Sequence, residues 1–341
     1  MDVIGQRALL AAVQGSPGNM SIFAPASPGA HSIVDLAILT FVVTGLIFVI
    51  VEGVLLYSVW RFRQPRVEQV GEPPQVYGSM PIEVAWTAAP TLIVFFLVLV
   101  TTRTLWDVEK TPPESKAGDN ALFVTVIGHQ WWWEYVYETY DGRTLGFVTA
   151  NELHMPVSDD NTSRHVYLTL KSADVCHSYW VPRLAGKVDL IPGRVNSLML
   201  ETKEPGLQLG QCAEFCGAQH ANMLLRVNVD TPEEFERWLA NESKPADEDA
   251  AVVDGKANFL TQSCVNCHAV RGTPARGTYA PDLTHLMSRQ TLASGIIENT
   301  PETLADWVRD PQAVKPGCLM PAFGLNERDQ KSIVRYLLSL R

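Results

Sequence analysis

Two long apolar segments constrain the fold of this chain more than any other feature of its sequence. The first runs from Ile33 to Trp60 and the second from Ile82 to Thr104. Each is long enough to cross a bilayer as an α-helix, and each is too long and too uniformly apolar for the core helix of a soluble protein. The sequence therefore predicts a transmembrane helical hairpin over residues 32–106.

The loop between the two segments indicates how the hairpin is oriented. It contains Arg61, Arg63 and Arg66, and positive residues in a short loop mark the cytoplasmic side of a membrane. We therefore expect the N-terminal segment, residues 1–31, and everything after the hairpin to lie on the outer side. The net charge of −10 argues against a nucleic-acid partner and suits a basic protein partner.

The region after the hairpin divides by its pattern into a β domain and a smaller α domain. Short β-type runs separated by turn residues predict a sandwich or barrel, within a domain that we place at 107–242. A polar and acidic stretch, 243–254, predicts a linker. From 255 to 341 the apolar residues follow a helical period, which predicts a small all-α domain. The expected fold class is therefore multidomain: a helical hairpin, an all-β domain and a small all-α domain.

The motif CVNCH is the pattern for covalent attachment of haem c. Its two thiols, Cys264 and Cys267, can bond the two vinyl groups of haem while the adjacent His268 reaches the iron. A redox-active cysteine pair is the alternative, but an exported helical domain of this size favours haem. We expect Met320, in a proline-bounded loop before the last helix, to be the second axial ligand, because a thioether raises the haem potential. The rival ligands are His285 and Met287.

The stretch GQCAEFCGAQHANM, residues 210–223, carries two cysteines, a histidine and a methionine at close spacing. A disulfide is the generic interpretation in an oxidising compartment, and a zinc site would need one more histidine. Met223 favours copper over zinc, because a thioether is a useful ligand for copper, and His177 can supply a second imidazole. Two thiolates, two imidazoles, one thioether and a backbone carbonyl are enough for two coppers bridged by the thiolates.

Six motifs, taken in order along the chain, make the sequence similar to one protein family. They are PIEVAWT, GHQWWWEY, SADVCHSYWVP, GKVDLIPGR, GQCAEFCGAQHANM and CVNCH. With the hairpin, they resemble subunit II of haem–copper cytochrome c oxidase, in the caa-type bacterial form with a fused cytochrome c domain, over nearly the whole length. The resemblance implies a cupredoxin-like Greek-key barrel and a dinuclear copper centre, CuA. The CuA ligands that it implies are His177, Cys212, Glu214 through its carbonyl, Cys216, His220 and Met223.

The resemblance also implies roles for three further groups. The Glu214 carboxylate would help to bind magnesium at the interface with subunit I. Trp131 would lie where electrons enter above the copper, with simple packing as the alternative. Glu83 would lie at the mouth of a proton pathway into subunit I, and the alternative is a helix-end acid favoured by the helix dipole. No residue of this chain is expected to be catalytic.

The function that the resemblance implies is that of an electron-transfer subunit in a proton-pumping terminal oxidase. Cytochrome c, or another periplasmic donor, would reduce the covalent haem c, and electrons would pass through CuA to subunit I, where O2 is reduced to water. Subunit III and the lipid bilayer are further expected partners. The expected location is the bacterial inner membrane, with the copper and haem domains on the periplasmic side. Three alternatives are a nitric or nitrous oxide reductase component, a membrane-anchored copper assembly factor and a quinol oxidase subunit II.

Two cysteines have no ligand role in these motifs. Cys176 stands where the family usually has an aliphatic residue, beside His177, and Cys318 lies two residues before Met320. The simpler interpretation is two small buried residues. The sharper hypothesis is an interdomain disulfide between them, which would fix the haem domain over the copper site.

Overall fold

The computed structural model describes residues 20–63, 75, 77–109, 120–246 and 250–341. Arg66 of the predicted cytoplasmic loop, most of the predicted N-terminal segment and residues 247–249 of the predicted linker lie outside the described residues. The described residues form two compact units. One lies within residues 31–110, and the other consists of residues before 31 and after 110.

The first unit contains two long helices, α1 (Pro28–Arg61) and α2 (Met80–Glu109). Both are long and apolar enough to cross a membrane, and each contains one of the two predicted segments. Large apolar side chains along them are exposed, such as Phe48 and Phe95. Exposed apolar area of this size would be costly in water, whereas a bilayer removes that cost.

The second unit contains a β-sandwich of ten strands. The strands are β1 (Leu122–His129), β2 (Trp132–Tyr140), β3 (Arg143–Ala150), β4 (Glu152–Pro156), β5 (Val166–Ser172), β6 (His177–Trp180), β7 (Val188–Leu190), β8 (Asn196–Leu200), β9 (Gly206–Cys212) and β10 (Leu224–Asp230). One sheet has the order β3-β2-β1-β5-β8 and the other β4-β10-β9-β6-β7. Two neighbouring pairs, β1 with β5 and β4 with β10, are parallel.

The pattern of strand β2 explains how the sandwich encloses its core. Trp133, Tyr135 and Tyr137 alternate with more exposed residues and are fully buried, as the period of two in a strand requires. Strand β2 turns into β3 through Asp141 and Gly142, both with positive φ, which is the backbone of a tight hairpin turn. The aromatic residues of this strand therefore form part of the buried core of the sandwich.

A short helix, α3 (Pro232–Glu242), follows the sandwich. The Thr231 side chain accepts a hydrogen bond from the Glu234 backbone N–H, and the Glu234 carboxylate accepts one from the Thr231 backbone N–H. This reciprocal pair is a capping box. Phe235 and Leu239 on its inner face are buried in the sandwich core. The helix therefore closes one end of the β-sandwich.

The C-terminal domain, residues 250–341, is mainly helical. Its elements are α4 (Val253–Thr261), α5 (Pro301–Arg309), α6 (Pro311–Val314), α7 (Glu327–Leu337) and a small hairpin of β11 (Thr291–Leu292) and β12 (Ile297–Glu298). Helices α4 and α7 cross closely at Gly255, where an added Cβ would lie 2.2 Å from the Ser332 carbonyl oxygen. Only a residue without a side chain permits that approach.

The stretch predicted as a linker, 243–254, is more structured than its composition suggested. A 3₁₀ turn covers Ala250–Val252, and α4 begins at Val253. Ala246 is part of the core of the C-terminal domain. Polar composition favoured a loop there, but packing against a core overrides such local preference. The predicted fold class, a helical pair followed by an all-β domain and a small α domain, is confirmed.

Candidate metal and haem sites

The fold brings His177 to the cysteine loop although the two are far apart in sequence. His177 begins strand β6 and Cys212 ends strand β9, and these two strands pair so that Tyr179 lies opposite Cys212. The loop from Cys212 then returns to β10 through a 3₁₀ turn at His220–Asn222. Adjacent strand ends thus hold the histidine against the first thiol.

The side chains of this loop converge on a single small volume. The two thiols, Cys212 Sγ and Cys216 Sγ, lie 3.8 Å apart. His177 Nδ1 lies 3.9 Å from the first and His220 Nδ1 3.6 Å from the second. The Glu214 carbonyl lies 3.2 Å from Cys212 Sγ, and Met223 Sδ lies 3.9 Å from Cys216 Sγ. Each sulfur therefore has one imidazole and one weaker donor beside it, which suits two metal ions sharing both thiolates.

The protonation of the thiol pair explains why it fits a cation. The pKa of Cys212 is lowered well below its ordinary value, mainly because the Cys216 thiol donates to the thiolate that forms. The pKa of Cys216 is raised by the same contact and by burial. Two thiolates at this separation repel each other, so metal ions between them supply the charge that a doubly ionised pair requires.

An aspartate that sequence reasoning missed orients His177. The Asp174 carboxylate lies 2.8 Å from His177 Nε2 and accepts hydrogen bonds from the backbone N–H groups of Gln130 and Val175. Burial lowers the pKa of His177, but hydrogen bonds with Asp174 and Cys212 raise it by more. Because Nε2 is engaged by Asp174, Nδ1 is the nitrogen left for a metal.

The opposite face of His177 rests on a glycine. A Cβ at Gly128 would lie 2.9 Å from His177 Cδ2, closer than real side chains approach. The first residue of the motif GHQWWWEY must therefore be glycine, because any side chain at position 128 would collide with the His177 ring.

The CVNCH motif opens onto a separate cavity in the C-terminal domain. Cys264, Cys267, His268 and Met320 all line it. His268 Nδ1 donates to the Pro281 carbonyl at 2.7 Å. Burial lowers the pKa of His268, so the imidazole is neutral and its Nε2 is available to a haem iron.

The rival axial ligands are placed elsewhere. His285 uses both ring nitrogens, with Nδ1 2.6 Å from the Arg341 carbonyl and Nε2 3.0 Å from the Lys244 carbonyl. Met287 packs against the domain core and is not among the residues that line the cavity. Of the three candidates, Met320 alone lines it.

The cavity suits haem in chemistry, because much of its wall is apolar. The apolar lining includes Leu283, Leu286, Leu304, Val308 and Leu337. Arg289 also lines the cavity, and its buried Nε has no hydrogen-bond partner among the described residues. A buried guanidinium N–H of this kind fits a carboxylate of haem.

One wall of the same cavity comes from the β-sandwich. Gln130, Trp131, Trp132 and Asn151 face it alongside His268 and Met320. Trp131 Nε1 donates to the Cys216 carbonyl at 2.9 Å, and Gln130 Nε2 donates to the same oxygen at 2.7 Å. Trp131 is therefore in contact with the haem cavity and with the copper loop.

Family models match the chain in three consecutive regions. The transmembrane domain of cytochrome c oxidase subunit II matches residues 15–103, its periplasmic domain matches residues 122–229, and cytochrome c matches residues 252–341. A cytochrome c oxidase subunit 2 from Alkalihalophilus pseudofirmus is 34% identical over 95% of this chain and 91% of its own length. The chain belongs to the cytochrome c oxidase subunit II family.

Two further proteins are similar to this chain. A cytochrome c oxidase subunit 2 from Bacillus sp. strain PS3 is 35% identical over 82% of this chain and 80% of its own length. The solved periplasmic domain of subunit II from Bradyrhizobium japonicum is 28% identical and covers 36% of this chain and 92% of its own, with a TM-score of 0.32. Membership in this family identifies the chain as an oxidase component, and not as a nitric or nitrous oxide reductase component or a copper assembly factor.

Membership in the subunit II family implies the groups that these sites receive. The periplasmic domain implies CuA copper, and the cytochrome c domain implies haem c. It also implies a membrane protein with a periplasmic domain, a subunit I partner and an electron-transfer role in a haem–copper oxidase. The residues found in both sites fit these groups.

Glu83 of this subunit II lies in the first turn of α2. Its carboxylate accepts a hydrogen bond from the Ser79 backbone N–H at 3.2 Å. That contact is the helix-end arrangement which the sequence offered as one of two interpretations. It also holds the carboxylate at the start of the helix.

The disulfide hypothesis for Cys176 and Cys318 is not supported. Both are free thiols, and Cys176 is exposed, which also contradicts the interpretation of a buried small residue. Cys176 precedes strand β6 and is exposed, whereas the strand that begins at His177 is buried in the sandwich. Cys318 is half-buried and lies 3.2 Å from Gln312 Nε2.

Proposed function

We propose that this subunit II accepts electrons from a cytochrome c at its own haem c and delivers them through CuA to subunit I. There O2 would be reduced to water while protons are pumped. The observation that carries the proposal is the position of Trp131, whose ring lines the haem cavity while its Nε1–H bonds the Cys216 carbonyl. One residue thus bridges the two candidate electron-transfer sites.

The residues proposed to hold the haem are Cys264 and Cys267 covalently, with His268 and Met320 as axial ligands. Those proposed for CuA are His177, Cys212, Glu214 through its carbonyl, Cys216, His220 and Met223. A binuclear centre spreads one electron over two metals, so that little must reorganise when the electron arrives or leaves. The chain contributes burial, since His177, both thiols and Met223 are nearly inaccessible to water, and it fixes His177 through Asp174.

Further parts of the proposal concern the neighbours of this chain. The Glu214 side chain is exposed while its carbonyl faces Cys212, which supports a second role for its carboxylate in binding magnesium beside subunit I. We propose Glu83 as the mouth of a proton pathway into subunit I. The further proposed partners are subunit III and a cytochrome c donor, and the proposed location is the bacterial inner membrane. The proposed domains are 1–31, 32–106, 107–242 and 255–341, and residues 243–254 link the last two.

Metal and optical analysis of the oxidase purified with this subunit tests the proposal. We expect two coppers in this chain, one covalent haem and the near-infrared band of mixed-valence copper. Rapid reduction by cytochrome c should then show the haem reduced first and CuA second. A chain that carries one zinc and no copper, or a CuA that is reduced before the haem, would overturn the proposed path.

A further inference from the structure

A buried lysine joins the C-terminal domain to the β-sandwich. Lys315 follows α6 and is only 2% exposed. Its Nζ donates to the carbonyl oxygens of Trp131 and Asn222 in the sandwich, both at 2.8 Å, and to that of Ala293 in its own domain at 3.0 Å. An ammonium group has three N–H donors, so three carbonyls satisfy it fully. Burial lowers the pKa of Lys315 to about 7, and the three carbonyls favour the protonated form, because only that form has three hydrogens to donate.

A buried carboxylate makes the reciprocal contact. Glu152 at the start of β4 is 2% exposed. It accepts hydrogen bonds from the Gln290 N–H, from the Thr291 N–H at 2.8 Å and from the Thr291 hydroxyl at 2.7 Å. Arg226 of the sandwich lies 3.6 Å from the same carboxylate and donates to the Gln290 side chain. Each domain therefore inserts one charge into the other.

These two contacts make the interface specific for one arrangement. A buried charge is tolerated only where hydrogen bonds replace its lost hydration. If the C-terminal domain shifted while still covering the sandwich, Lys315 and Glu152 would lose their partners and remain out of water. The free-energy cost of a shifted arrangement is therefore larger than the free energy that these contacts contribute in the observed one.

The lysine is also connected to the path between the two metal sites. It binds the carbonyl of Trp131, whose ring lines the haem cavity and whose Nε1–H reaches the Cys216 carbonyl. A continuous set of hydrogen bonds therefore runs from Lys315 through Trp131 to the loop that holds Cys216. Lys315 also lines the haem cavity, but it belongs to neither proposed ligand set.

We propose that Lys315 and Glu152 are positioning residues that hold the C-terminal domain in one docked arrangement, and that this arrangement sets the rate of electron transfer from haem c to CuA. The inference rests on the proposed function. The step moves one electron from reduced haem to oxidised CuA, and no bond forms or breaks.

The first test replaces the lysine in the intact oxidase. In Lys315→Met the rate of internal electron transfer from haem to CuA, followed optically after rapid reduction, should fall about tenfold or more, which corresponds to a rise of about 1.4 kcal/mol in the activation free energy of that step. The CuA near-infrared band and the rate at which cytochrome c reduces the haem should be unchanged. Lys331→Met, at an exposed lysine paired with Glu327 in the same domain, is the matched control and should leave all three quantities unchanged.

The second test uses the opposite charge and a readout independent of the metals. Glu152→Gln should slow the same internal step, while Glu204→Gln, at an exposed glutamate paired with Arg183, should not. Hydrogen–deuterium exchange of the peptide over residues 286–296 reports the docked state, because the Gln290 and Thr291 amides are bonded to Glu152. Both interface variants should speed its exchange by about tenfold.

The outcomes separate this inference from the function on which it rests. An internal rate within about twofold of the wild type in Glu152→Gln or Lys315→Met, with unchanged exchange over 286–296, would overturn the inference and leave the proposed function standing. If Lys315→Met does not assemble, Glu152→Gln decides alone. Loss of haem or copper from the wild-type chain would instead overturn the proposed function.

Discussion

His177 is held from three directions, by its place at the start of β6, by Asp174 at Nε2 and by the bare backbone of Gly128. A ligand fixed in this way presents Nδ1 in one orientation before any metal arrives. The residues behind the ligand therefore contribute to copper affinity although they do not bind copper.

Asp174→Asn tests this contribution. The amide keeps an oxygen for the backbone N–H groups but loses the charge that stabilises the His177 N–H. We expect copper affinity to fall about 10- to 100-fold, measured by retention of the near-infrared band during titration with a chelator. Asp160→Asn, at an exposed aspartate paired with Lys203, should behave as the wild type. Equal copper retention in the two variants would show that Asp174 has no such role.

Met320→Leu tests the axial ligand of haem. Leucine keeps most of the volume but removes the thioether sulfur, so the haem potential should fall by on the order of 0.1 V, with a changed optical spectrum. Met287→Leu is the control, because Met287 packs in the core and does not line the cavity. An unchanged potential in Met320→Leu would exclude Met320 as the ligand.

At the scale of elements, the C-terminal domain depends on the close crossing of α4 and α7. Gly255 allows this crossing, because a Cβ there would collide with the Ser332 carbonyl and with Tyr336 Cβ at 2.9 Å. Residues of α7 also form a large part of the core, with Ile333, Tyr336 and Leu337 buried. The packing of these two helices also contributes to the haem cavity, which Leu337 of α7 lines.

Gly255→Ala should separate the two helices. Overpacking of this kind costs about 1–3 kcal/mol, so the C-terminal domain should unfold at a lower temperature, followed through the haem absorbance. Val253→Ala, at an exposed residue in the same helix, should leave the transition unchanged. A Gly255→Ala variant as stable as the wild type would show that the helices can shift apart freely.

Elements and ligands differed in how far the sequence could predict them. The strand β2 and the helix α3 follow from local patterns, namely alternation and a capping box. The proposed metal ligands could be named from the sequence, because copper and haem demand particular residue types at particular spacings. Asp174 was missed, since nothing in its own neighbourhood distinguishes it from a surface aspartate. An aspartate three residues before a proposed ligand is the signal that could have found it.

At the scale of the whole molecule, the interface between the β-sandwich and the C-terminal domain could not be predicted from sequence. Glu152 and Thr291 are 139 residues apart, and Lys315 and Trp131 are 184 apart. Lys315 and Glu152 are residue types that are almost always exposed, so their sequence surroundings predict solvent. Only the folded arrangement shows that each is buried by the other domain.

Ionic strength should affect the reduction of the haem by cytochrome c more than the electron transfer from haem to CuA. The chain carries a net charge of −10, so a basic cytochrome c is attracted through solvent. Raising the ionic strength from about 0.01 M to about 0.1 M shortens the screening length from about 30 Å to about 10 Å. The bimolecular reduction of the haem should slow about tenfold or more, while transfer from haem to CuA, across a buried interface, should change by less than about twofold. Stopped-flow traces resolve both phases, and equal salt dependence would contradict a docked C-terminal domain.

The exposure of the copper loop has a consequence for the order of maturation. Lys315 and Gln219 tie one side of the loop to the C-terminal domain, whereas Glu214 and Phe215 remain exposed, the latter by 76%. The side of Glu214 therefore stays open to solvent after the C-terminal domain has docked. Because that is the side proposed to meet subunit I, the proposed function implies that copper enters this chain before it assembles with subunit I.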